Sequence, residues 1–194
     1  RGYGTMVIVT MGALGAVAAV YINKLDLSFA GLAQWQVMYI IGGLLGLLLL
    51  TLRAGTHESE MFDETQKTAV SKGNFFMLFA NRKRAIRYLA CIAMGLPVWF
   101  CVGVLVKFSA KFAVLGGVTG GTFEIGQAIV FTYLGLSFGD LMSSYLSQLF
   151  KSRKRIVLGY LIMCIGVMAV FLMGRGFSVS VHYFLCFLIG AATG

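Results

Sequence analysis

Apolar runs of span length alternate with short polar connections along this chain, and the alternation predicts its elements before any motif is considered. Runs at 6–22, 35–52, 88–106, 124–142 and 156–173 are each continuous, and a sixth begins near Val181. A bilayer core of about 30 Å needs roughly 20 apolar residues in a helix, so each complete run reads as a transmembrane helix.

Small residues add detail. The first run carries Gly12, Ala13, Gly15, Ala16, Ala18 and Ala19, and the second carries Gly42, Gly43 and Gly46. Faces of this kind permit close helix approach in lipid, so both are expected to pack tightly against a neighbour. Trp35 and Tyr39 stand at the start of the second run, where an aromatic belt would lie. Pro97 is the single proline and falls inside the third run, where it removes one helix hydrogen bond and predicts a kink.

The polar stretches divide the chain. Residues 1–52 hold two runs, 53–87 form a long charged linker, and 88–194 hold the remaining runs. Inside the linker, residues 74–79 are apolar but too short to cross and are flanked by cations, which predicts a short helix in the membrane interface. A glycine-rich connection with Gly116, Gly117, Gly120 and Gly121 separates the third and fourth runs. The chain opens on Arg1-Gly2 with no leader pattern and closes inside an apolar run, so it reads as an internal piece of a longer protein.

Composition agrees: 59% of residues are hydrophobic and 12% charged, too apolar for a water-covered surface. The net charge of +9 would raise nucleic acid as a partner in a soluble protein, but here the cations cluster between apolar runs and act as topological signals, so none is expected. With Arg1, the 53–87 stretch and the 151–155 loop on the cytoplasmic side, twelve of the sixteen Lys and Arg residues fall inside. Lys24, Lys107, Lys111 and Arg175 fall outside, consistent with every run crossing once. Cys91, Cys101, Cys164 and Cys186 all lie in apolar runs without CxxC spacing or a nearby His, so they read as reduced packing residues, with no metal or cofactor expected.

Two spans, a long charged cytoplasmic linker and a second basic loop two helices later resemble the middle of a major facilitator superfamily transporter. Arg1-Gly2 is similar to the end of the signature before helix five. Trp35, Met38, Tyr39 and Gly42-Gly43 resemble the start of helix six, and Glu58-Ser59 the element after it, with His57 where proline is usual. Residues 144–155 resemble the family's loop motif, with Ser144 for its glycine and Gln148 for its aspartate. The resemblance implies helices five to ten of an all-α, polytopic transmembrane bundle, a partial major facilitator fold in the plasma or bacterial inner membrane. It further implies alternating access, a small-molecule solute, the lipid bilayer as partner and protons as coupling ion.

An ionisable side chain within a span is costly and marks function first. Asp140 is therefore a proton or gate candidate, sharing a face with Tyr133, Ser137 and Ser144; the alternative is a helix-end carboxylate bonded to a neighbour. Because Gln148 lacks the motif's charge, Asp140 is expected to pair in its place with the basic loop of Arg153, Lys154 and Arg155. Glu124 and Gln127 stand near the outer end of the same helix, as solute contacts or as a solvated helix start. Trp99 lies two residues after Pro97 and either stacks on solute or faces lipid. Lys107 and Lys111 read as interfacial anchors and His182 as an interface residue.

The expected function is secondary active transport of a small metabolite or organic ion. A drug and proton antiporter is the alternative within the family, and a membrane-embedded enzyme on a lipid-linked substrate the alternative outside it. An enzyme needs clustered His, Asp, Glu or Ser at one interface. His57 and His182 fall on opposite predicted sides, so no enzymatic activity is expected.

Overall fold

The computed structural model describes residues 2–25, 31–54 and 75–194. Of these, 84% are helical and none belongs to a strand. The helices are α1 (Gly2–Lys24), α2 (Gln34–Ala54), α3 (Arg82–Phe100), α4 (Ser109–Leu115), α5 (Ile125–Leu149), α6 (Arg153–Met173) and α7 (Val179–Thr193). Five helical stretches among the described residues are long and apolar enough to cross a membrane: Met6–Lys24, Gln34–Ala54, Arg82–Val106, Ile125–Leu149 and Arg153–Met173. α7 is apolar too but shorter, at 15 residues. The 55–74 part of the charged stretch, with His57 and Glu58-Ser59, lies outside the described residues, as does Arg1.

Several boundaries differ from expectation for physical reasons. The third span starts at Arg82, so the basic run forms its first turns rather than a loop. It passes through Pro97 and then widens into a π-helix over Cys101–Val106. The carbonyl that Pro97 leaves without its helical donor is that of Ala93, a turn before the proline, so the widened segment is a second irregularity further along the span. α4 follows directly, which places Lys107 and Lys111 at and within helical backbone instead of an open connection. The 74–79 segment forms a single 3₁₀ turn, Phe75–Leu78, whose Phe75 and Phe79 meet Tyr88 edge-on at 6.4 and 5.8 Å.

The 144–155 segment is mostly helix as well. α5 runs on to Leu149 and α6 begins at Arg153, leaving a three-residue reversal. Lys151 makes that reversal in the left-handed region at φ 50°, the position after a helix where glycine is usual.

The chain divides into two compact units, residues 1–21 with 92–194, and residues 22–91. In the first, the core is the seam between α5 and α7, joined by α6 and the π-helical segment. Gly135 and Gly139 of α5 face the Phe187 and Ala191 carbonyls, while Gly190 and Gly194 at the end of α7 face the Thr132 and Leu136 carbonyls. A Cβ at any of the four would strike backbone, so the helices meet main chain to main chain through two reciprocal Gly-xxx-Gly pairs. The connections at one end are stitched too: Thr119 N–H donates to Phe177 O at 3.0 Å, Val179 N–H to Thr119 O at 3.1 Å, and Gly176 N–H to Gly116 O at 2.8 Å.

In the second unit α2 has no buried residue. The expected close-packing faces are not occupied in the described structure: nothing lies within 4 Å of a Cβ placed at Gly12, Gly15, Gly42, Gly43 or Gly46. Small residues permit approach but supply no partner. Beside α2, Asn23, Trp35, Met38, Tyr39, Gly42 and Gly43 line an open pocket of about 520 Å³.

Candidate functional site

The seam that glycine closes also gathers polar groups that a lipid-facing helix cannot carry. Ser137 and Asp140 lie three residues apart on α5, so their side chains leave one face of the helix. α1 meets that face, and the Ser137 hydroxyl donates to Thr10 O at 3.5 Å. From α6, the Tyr160 hydroxyl donates to Gly139 O at 3.3 Å, one residue before Asp140. At the end of α7, Gly194 leaves just enough room for the Asp140 backbone, since a Cβ there would lie 2.8 Å from its nitrogen. Four elements thus meet at the stretch of α5 that carries Asp140.

Two atoms in this cluster lack partners. Asp140 Oδ2 and Thr10 Oγ1 are both buried with no hydrogen bond. An unmet buried polar atom costs about 1–3 kcal/mol and an unmet charge more, so native proteins keep few of them and usually for a reason. The neighbouring hydroxyls contrast with this: Thr132 donates to Ala128 O at 2.7 Å, Ser143 to Asp140 O at 3.2 Å, and Thr193 to Gly190 O at 2.9 Å. Each satisfies itself within its own helix.

A second unmet set lies where α4 meets α7. His182 is 3% exposed and both ring nitrogens are unpaired, as is the fully buried Ser109 hydroxyl. Phe123 and Phe171 enclose the imidazole at centroid distances of 5.0 and 4.7 Å. His182 is thus a core residue and not the solvated interface residue expected.

The other candidates are distributed around these clusters. Glu124 is the exposed N-cap of α5, and its side chain makes no capping bond. Its backbone N–H donates to the Tyr183 hydroxyl at 2.9 Å, which ties α5 to α7 at that end. Gln127 and Tyr133 are half-buried. Pro97 is half-buried, and Trp99 is 75% exposed. Gln148, Arg153, Lys154 and Arg155 are exposed. No ion pair joins Asp140 to Arg153, Lys154 or Arg155, so the expected latch is not formed here. The carboxyl turns into the helix seam instead of toward the basic turn.

Sequence reading found Asp140 and Ser137 but missed Thr10, Tyr160, Ser109 and the packing role of Gly135, Gly139, Gly190 and Gly194. The glycines carry a four-residue spacing on two runs, but Gly42 and Gly46 of α2 carry it too and meet nothing. Thr10 had no readable signal, because it lies 127 positions from the serine it meets. No protein-family model matches the chain, and neither a curated protein nor a solved structure matches it.

Proposed function

We propose that this chain is part of a multi-pass transporter of the plasma or bacterial inner membrane, of the major facilitator kind. It moves a small metabolite or organic ion by alternating access, with Asp140 as its proton-bearing or gating group. The observation that carries this reading is the Asp140 carboxyl, seated among candidate spans with Oδ2 buried and unpartnered. An ionised carboxylate in that setting needs a proton, a cation or a basic side chain to accompany it, and such intramembrane residues mark ion and substrate pathways. The unpaired Thr10 hydroxyl and the Tyr160 phenol supply polar company that would suit a site occupied in turn by different partners.

Two further observations support the same reading. The third candidate span combines Pro97 with a π-helical segment, and irregular backbone at membrane depth is tolerated where it is buried in protein or lines a cavity. The basic residues also sort onto one predicted side, as crossing helices require.

The test is uptake by vesicles containing the protein, screened against sugars, organic acids and organic cations under an imposed proton gradient. Uptake of one class is expected, and Asp140→Asn is expected to abolish its dependence on the gradient while leaving the protein in the membrane. Absence of gradient-driven uptake for every class, or an unaltered Asp140→Asn, would sink the proposal.

A further inference from the structure

Three sulfur atoms converge in the core of the first compact unit, contributed by two different candidate spans. Cys101 begins the π-helical segment and Cys164 lies midway along α6; their Sγ atoms are 3.6 Å apart. Met168, one turn beyond Cys164 on the same face, brings its Sδ to 3.1 Å from Cys101 Sγ. Cys101 is 0% exposed and Cys164 4%. Apolar residues, including Leu105, Phe171 and Cys186, make up the rest of this cluster.

We infer that Cys101, Cys164 and Met168 form a binding site for a soft monovalent cation of the Cu(I) class. Thiolate and thioether sulfur suit Cu(I) and zinc, but structural zinc takes four Cys, His or carboxylate ligands, so two cysteines and a thioether favour Cu(I), while hard cations need oxygen ligands that this sulfur set does not supply. The spacing fits a shared ion. Two sulfurs each about 2.3 Å from one metal in a tetrahedral arrangement lie roughly 3.8 Å apart, close to the observed Cys101–Cys164 separation. The Met168 contact is shorter and opens on binding, which its unbranched side chain allows.

Ligand chemistry fixes the stoichiometry, because a cysteine holds a metal through its thiolate. In the empty site the Cys101 thiol donates toward Met168. Cu(I) binds as both thiol S–H bonds break, each sulfur pair forms a bond to the metal, and both protons pass to buffer. The thioether donates a lone pair and loses nothing. No electron is transferred. The π-helical segment gives the site a mechanical link, because its first residue is a ligand and a metal there would tie the third span to α6.

The site is independent of the transport proposal, and its test does not use transport. The full chain in lipid nanodiscs is titrated anaerobically with Cu(I) against a chromophoric Cu(I) chelator, with proton release followed in weak buffer. One ion and two released protons per chain are expected, with an X-ray absorption spectrum fitted by sulfur neighbours alone. Cys101→Ser and Cys164→Ser should each weaken binding by more than about 100-fold, and Met168→Leu by about tenfold. Cys91→Ser, on an exposed cysteine, should leave it unchanged. A wild-type chain that yields its copper to the chelator overturns the inference. So does a spectrum with nitrogen or oxygen neighbours, which needs no variant to fold, or equal affinity in Cys101→Ser and wild type.

Discussion

α2 and the α5–α7 pair are both rich in glycine, yet they use it in opposite ways. Gly42, Gly43 and Gly46 of α2 open onto empty space, whereas Gly135, Gly139, Gly190 and Gly194 each sit against the carbonyl of a neighbouring helix. The local sequences do not announce the difference. Lipid tails are as apolar as leucine, so helices in a membrane gain nothing from merely hiding hydrophobic surface; they gain from close packing and polar contacts. A small-residue face contributes only when a second one meets it in register. In α5 and α7 the two Gly-xxx-Gly sets are offset so that each glycine faces main chain on the other helix, and the buried stripe of α7 follows from Leu185 through Ile189.

Breaking that contrast gives the largest expected effect. Gly135→Leu forces a branched side chain into the Phe187 backbone, which cannot yield as a flexible side chain could. We expect a loss of about 3 kcal/mol, the upper part of the overpacking range, with Gly43→Leu changing stability by less than about 0.5 kcal/mol. Unfolding of each purified variant in mixed micelles by a denaturing detergent measures both. Equal losses at the two sites would mean that α2 is packed as tightly as α5.

A second prediction sharpens the comparison without any clash. Ile189 is buried in the α5–α7 seam, and Leu48 of α2 is exposed. Ile189→Ala leaves an unfilled space and should cost about 2 kcal/mol in the same assay, while Leu48→Ala should cost little because detergent or lipid fills its place. A small effect at Ile189 would show that the seam collapses to fill the hole.

Much of the helical layout was legible from the apolar runs, because the bilayer fixes helix length so tightly. The ends were less so. Charge alone places the 82–87 and 153–155 basic residues in loops, but cations snorkel from a first helical turn as readily as from a loop, so charge marks the side and not the helix boundary. The π-helical segment and α4 were hidden because a widened turn leaves no trace in hydrophobicity. Asp140 was visible as the one acid deep in an apolar run, but its surroundings were not. Thr10 and Tyr160 meet its neighbours Ser137 and Gly139 from other helices, and runs that are hydrophobic all round carry no periodicity to say which face turns inward. The expected pairing of Asp140 with Arg153 failed for that reason, since helical spacing placed the carboxyl along its own helix but not toward a neighbour.

The smallest effect concerns what holds the α5–α7 seam at its glycine-poor end. There Tyr183 does what the glycines do further along: its hydroxyl accepts from the Glu124 backbone N–H at 2.9 Å, and its ring stacks on Phe123 and Phe131 at 4.9 and 5.5 Å. That N–H belongs to the N-cap of α5, where the first turn has donors with no partner inside the helix and the Glu124 side chain provides none. Tyr183→Phe keeps both stacks and removes the hydroxyl, which accepts from Glu124 N–H at 2.9 Å and donates to Glu124 O at a longer 3.5 Å, so the expected loss is about 1 kcal/mol, set mainly by the shorter neutral hydrogen bond. Tyr183→Ala removes the stacks as well and should cost about 2 kcal/mol more, since each aromatic pair adds roughly 0.5–1.5 kcal/mol. Amide hydrogen exchange at 124–127 separates the two contributions, because Tyr183→Phe should speed exchange there while leaving 132–139 protected. If Tyr183→Phe exchanges at the wild-type rate, water replaces the phenol at no cost, and the glycine contacts alone hold the pair together.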